Sequence, residues 1–142
     1  MERREMLWAF GAAAAAPIAM IAQQAPHVHG TPDHQALIAA SSNCVVKGEA
    51  CLAHCQQMLA DGDKSMAQCP RTGSEMVTLC GALRTLAAQD APSLPKLAAV
   101  AMDACGRCES HCRKFANVQQ HCRECADACA ACAAECRKIA KA

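Results

Sequence analysis

The sequence predicts an all-α fold, an antiparallel up-down-up-down four-helix bundle with cysteines lining the core. Three observations carry that prediction. Cysteines recur at helical spacings, and Cys122, Cys125, Cys129, Cys132 and Cys136 step by three, four, three and four, the spacing of buried positions in a bundle helix. No segment shows the alternation or β-branched enrichment of strands. The stretches between helix-like segments are short, which makes successive helices antiparallel neighbours.

Residues 1–25 read as a signal peptide, because Arg3 and Arg4 stand side by side and Leu7 to Ala22 then run without a charge. That run is shorter than the roughly 20 residues a spanning helix needs, and its alanine-rich character fits twin-arginine export to the periplasm better than permanent insertion. Glu2 before the arginine pair and Met6-Leu7 where Phe-Leu is usual depart from the twin-arginine pattern, so a general secretory leader is the alternative. No cysteine lies near the cleavage region, which argues against a lipoprotein anchor, and no membrane association is expected once the leader is removed. Residues 26–32 have linker composition, with Pro26, Gly30 and Pro32 around His27 and His29. They are expected to form a flexible tail; a metal-catching tail of His27, His29 and His34 is the sharper alternative.

The bundle itself occupies 33–142. A first helix is expected from Asp33 to about Ala60, stopped by Asp61-Gly62-Asp63. A second runs from Lys64 or Ser65 to Gln89, with Pro70 in its opening turns either kinking it or moving its start later. Pro95 suits the first turn of a third helix that reaches Lys114 or Phe115. Asn117 is expected to cap a fourth that continues almost to the C-terminus.

At 142 residues the chain has room for one domain. The net charge of +1, with both signs interspersed, excludes the basic stripe that nucleic acid requires. Trp8 and Phe10 fall in the leader, leaving Phe115 as the one phenyl ring of the mature chain. Large aliphatic side chains are also sparse, so the thirteen cysteines are the candidate core filling. At about 100° per residue the five thiols of the fourth helix fall within an arc of about 80°. Cys105, Cys108 and Cys112 repeat the pattern on the third helix. Cys44, Cys51 and Cys55 step by seven and four on the first, and Cys69 and Cys80 lie eleven apart on the second. All thirteen thus return to one face of a helix, and the bundle axis should be lined with sulfur.

A disulfide scaffold is the main alternative for a cysteine-rich exported chain. An odd cysteine count opposes full pairing, and neighbours three or four apart on a helix hold their Cβ atoms about 5–6 Å apart where a disulfide wants about 3.8 Å; bridges between helices stay open. Metal removes the geometric problem, since a two-coordinate ion lets its two sulfurs stand apart, at pairs such as Cys51/Cys55, Cys108/Cys112, Cys125/Cys129 and Cys132/Cys136. Soft thiolates select Cu(I), zinc or iron–sulfur clusters. A Zn²⁺ held by four thiolates carries a net −2, costly to repeat along an alanine-lined axis with no row of core Lys or Arg. Cu(I) with one thiolate per ion is neutral, and with bridging sulfurs the count tends to one ion per cysteine. Iron–sulfur ligands usually come from loops, which these cysteines do not.

The runs from Cys44 through Cys51 and His54 to Cys55, from Ser65 through Met66 to Cys69, and from Glu124-Cys125 to Cys136-Arg137-Lys138 resemble the exported copper storage proteins of bacteria. The likeness extends from about Gln35 to Lys138. It implies a cysteine-lined bundle, homo-tetramers, and many Cu(I) ions per chain, each held mainly by two thiolates. It also implies a thioether and imidazole site at one mouth of the bundle, with His54, Met58 and Met66 at the matching positions; a further methionine of that mouth is replaced by Asp61 or Gly62. Helix order independently brings His54, Met58, Met66, His111 and His121 to one bundle end. Thioether and imidazole bind Cu(I) without losing a proton at neutral pH, which suits an entry port. Whether His27, His29, His34, His111 and His121 bind metal is left open by the sequence, and Met76 and Met102 read as core filler. Two other functions compete. Cys105-Gly-Arg-Cys108 has the spacing of thiol redox enzymes, but that motif opens a helix beside a sheet and no sheet is predicted; a chaperone that passes on one ion needs a single exposed site. A non-enzymatic storage protein is the reading the residues favour.

Overall fold

The computed structural model describes residues 32–140, and the leader and tail readings, with His27 and His29, fall outside them. Four helices form: α1 (Pro32–Ala60), α2 (Cys69–Ala88), α3 (Leu94–Arg113) and α4 (Gln120–Ala140). Among the described residues there is no strand. Each helix packs on two others, α1 on α2 and α4, and α3 on α2 and α4, so the four stand at the corners of a square. Paired residues run in opposite order along neighbouring helices: Cys51 meets Cys69 while His34 meets Asp90, and Cys108 meets Cys125 while Cys80 meets Cys105 and Cys132. Successive helices are therefore antiparallel.

Two helix starts differ from the sequence expectation. α2 begins at Cys69, with Ser65 to Gln68 in a turn and Pro70 in the first turn. Proline's missing N–H is harmless there and its ring would clash further in, so Pro70 sets the start instead of kinking a longer helix. α4 begins at Gln120, and Asn117 is not its cap. After α3 the backbone keeps turning through Lys114 to Val118, where Val118 and Gln119 N–H both donate to the Phe115 carbonyl at 3.0 and 2.8 Å, which leaves a side-chain cap at Asn117 nothing to complete. Pro95 occupies the first turn of α3 as expected.

α1 is long and apolar enough, by length and composition, to cross a membrane, but here it is one wall of the bundle. Its Lys47 pairs with Glu124 of α4 at 2.8 Å, Arg107 of α3 with Glu75 of α2 at 2.7 Å, and Arg113 of α3 with Asp127 of α4. Exposed pairs of this kind contribute about 0–1 kcal/mol each, so the interior has to supply most of the stability. That interior is cysteine and alanine with little else. Its aliphatic bulk is concentrated at one end, where Leu37, Leu83 and Leu94 are buried and Ile139 packs against them. The bundle is thus polarised, with an aliphatic plug at the end that holds the start of α1 and the turn from α2 to α3, and sulfur from there to the other end.

Candidate metal centre

Regular three-and-four spacing aims every cysteine at the axis, and all thirteen are at most 2 % exposed. The sulfurs gather into overlapping groups whose members lie within 4.8 Å of one another. Nearest the plug, Cys44, Cys80, Cys105 and Cys132 form one group with a residue from each helix. Within it Cys80 Sγ is 3.5 Å from Cys105 and 3.7 Å from Cys132. Cys44 also lies 3.8 Å from Cys129, which belongs to a second group with Cys108 and Cys125; Cys125 recurs in a third with Cys51 and Cys112, and Cys51 in a fourth with Cys55 and Cys69. The Cys44–Cys129 contact links the first group to the second, and shared members join the rest, making one column. Cys136 interacts with Cys132, and Cys122 with Cys112 and Cys51, so both outlying thiols are tied to it.

Cys55 and Cys69 are joined as a disulfide. The bridge runs between α1 and α2, whereas the Cβ separation that disfavours disulfides applies to neighbours on one helix. In this state the pair offers no thiolate, and Cys51, 3.8 Å from Cys69, is the free thiol of its group.

The protonation pattern follows from burial and thiol–thiol hydrogen bonding. Burial pushes the Cys122 thiol up to about 11, with Cys112 adding to it. Hydrogen bonds to Cys112 and Cys125, then burial, raise Cys51, while Cys80 and Cys129 are raised first through Cys105. Cys105 receives these interactions, led by that from Cys129, and is drawn down to about 5. Most of the shifted thiols thus hold their protons at neutral pH, and a soft metal entering the column must displace them.

The donor set fits monovalent copper better than zinc. Among the described residues Ser41 is the one buried polar or charged side chain outside the thiols, and its hydroxyl donates to the Leu37 carbonyl at 2.7 Å. Among the described residues no buried cation is present to offset the dianionic charge of a zinc tetrathiolate, whereas a one-to-one copper thiolate needs none.

At the sulfur end of the column the structure brings His54 and His121 together, ring centroids 5.0 Å apart. Met66 is buried, and Met58 packs partly buried against the core. His111 lies tilted against Phe115, ring centroids 5.6 Å apart. The Nε2 atoms of His54 and His111 are buried with no hydrogen-bond partner, unusual for buried polar atoms and suited to a lone pair that awaits an ion. Burial, then the nearby Lys114 charge, lowers the His111 pKa, which keeps that lone pair free. His34 is elsewhere: it sits in the first turn of α1 at the plug end and bonds Asp90 at 2.9 Å.

Met76 is core, as expected, but its Sδ lies 3.2 Å from Cys44 Sγ, inside the column. The signal was available in the buried stripe of α2, which reads Cys69, Gly73, Met76, Cys80 and sets a thioether in the gap between two cysteines.

Two comparisons bear on identity. A protein-family model described as "Copper storage protein" matches residues 31–141. No curated protein matches the chain.

Proposed function

This chain belongs to the copper storage protein family, and from that premise we propose that it sequesters many Cu(I) ions per chain on the thiolates of Cys44, Cys51, Cys55, Cys69, Cys80, Cys105, Cys108, Cys112, Cys122, Cys125, Cys129, Cys132 and Cys136. The observation that carries this reading is the continuity of the column: contiguous sulfur groups in an interior that holds no buried cation among the described residues. Bridging thiolates let a whole row of monovalent ions be buried neutral. His54, Met58 and Met66 form the entry port, with His121 beside His54, because donors that need not lose a proton can catch an ion before the protonated thiols yield to it. The role is storage and not turnover, and after export by the twin-arginine route the protein works in the periplasm as a homo-tetramer.

Anaerobic titration of the reduced protein with Cu(I) against a chromophoric chelator tests this. The expected count approaches one ion per thiol. One or two ions per chain would overturn storage, and tight zinc binding with weak copper binding would overturn the choice of metal.

A further inference from the structure

We propose that Met76 is a copper ligand within the column: its thioether completes the coordination of the Cu(I) held by Cys44. The inference rests on the storage reading above and extends it to a residue outside the thiols and the port.

Three observations place Met76 there. Its side chain is wholly buried, and its sulfur lies 3.2 Å from Cys44 Sγ, while Cys44 also faces Cys129 at 3.8 Å and belongs to the four-cysteine group. Any ion on the Cys44 thiolate is therefore within a small side-chain adjustment of the thioether. Met76 also fills a gap. The inward stripe of α1 reads Cys44, Gly48, Cys51, Cys55 and that of α2 reads Cys69, Gly73, Met76, Cys80, so at the level of Gly48 neither helix supplies a thiol and Met76 supplies sulfur. Lastly, the neighbouring wall is cut to seat it. A Cβ on Gly48 would stand 2.6 Å from Met76 Cε and 3.7 Å from its Sδ, so the missing side chain leaves the space that the methyl occupies while the sulfur lies against Cys44.

The chemistry agrees with the placement. A thioether is a soft, neutral donor, so it adds a third bond to an ion already on thiolates without adding charge to a dry interior. It has no proton to lose, so the site it shares with Cys44 costs one deprotonation fewer than an all-thiolate site of equal coordination.

X-ray absorption at the selenium edge reads the bond directly. Full-chain selenomethionine protein carrying Met58→Leu and Met66→Leu removes the port thioethers and is loaded with Cu(I), with the bound copper counted on the same sample. A copper neighbour at bonding distance from selenium is expected, and it should vanish when Met76→Leu, a volume-conserving change, is added. Loading without that neighbour would overturn the inference and leave storage standing. Should the double variant not fold or not load, wild type and Met76→Leu are compared directly: an unchanged selenium–copper amplitude at equal copper content overturns the inference, and failure of the wild-type protein to load copper would overturn both.

Discussion

Replacing Gly48 by alanine puts a methyl group where α1 and α2 press closest. Its Cβ would lie 2.6 Å from Val77 Cγ2 as well as from Met76 Cε. The methionine tip can swing away, but valine is stiff at χ1, so the helices must part slightly. Overpacking of this kind costs typically about 1–3 kcal/mol, against a gain of about 1 kcal/mol when helical glycine becomes alanine. The net expectation is a loss of about 0–2 kcal/mol. Gly81 and Gly106 provide the control, since a Cβ at either meets nothing within 4 Å; alanine there should stabilise by up to about 1 kcal/mol. Urea denaturation of the reduced, metal-free protein reads all three as shifts in midpoint at constant slope. Pairing Gly48→Ala with Val77→Ala should restore part of the loss through a coupling term. If Gly48→Ala stabilised as much as Gly106→Ala, the close packing of Met76 and Val77 on Gly48 would be refuted.

Other expectations follow from the protonation state and the port. Cys122 and Cys51 hold their protons more tightly folded than unfolded, so above the ordinary thiol range, where the lowered Cys105 no longer contributes a slope, the unfolded chain binds fewer protons and stability falls as pH rises; equilibrium unfolding of the metal-free protein at successive pH values above that range checks this, and a midpoint that rose across it would contradict it. Copper loading releases those protons, so apparent affinity should weaken on acidification by up to about tenfold per pH unit for each proton displaced, and chelator competition giving a flat pH profile would exclude protonated thiols as the ligands. Alkylation and mass measurement without reductant should count eleven free thiols, rising to thirteen on reduction of the Cys55–Cys69 bridge. His54→Ala with His121→Ala should slow loading and leave the final copper count nearly unchanged; a large loss of capacity at an unaltered rate would make these residues storage ligands and not a port.

Much of the design was legible because one residue type carried both the fold and the site. The three-and-four steps of Cys122 to Cys136 marked a helix and its inward face together, and the same register on three other segments implied a common axis. What escaped was decided between helices or by local turn geometry. No spacing along α2 says that Met76 will meet Cys44, or that Cys69 will face Cys55, because those depend on how far α2 slides against α1. Asn117 looked like a cap, yet the preceding turn already takes the Val118 and Gln119 N–H groups on the Phe115 carbonyl, and α4 starts at Gln120. The alternative that grouped His34 with His27 and His29 as a metal-catching tail had no local sign of its partner Asp90, 56 positions away.

The scarcity of large side chains in the interior has a consequence for the lifetime of the protein. A core of thiols and alanine methyls, with its buried leucines confined to the plug of Leu37, Leu83 and Leu94 and only Met66 and Met76 as further large side chains, is short of the usual source of stability when empty. Ligands that bind only the folded state add to its stability in proportion to the logarithm of their concentration over the dissociation constant. Under the storage reading the cargo is therefore also the missing core. A filled chain resists opening and a depleted one opens more often, and proteases act on the open form. The amount of protein that survives would then follow the copper supply with no dedicated sensor, through differential degradation alone.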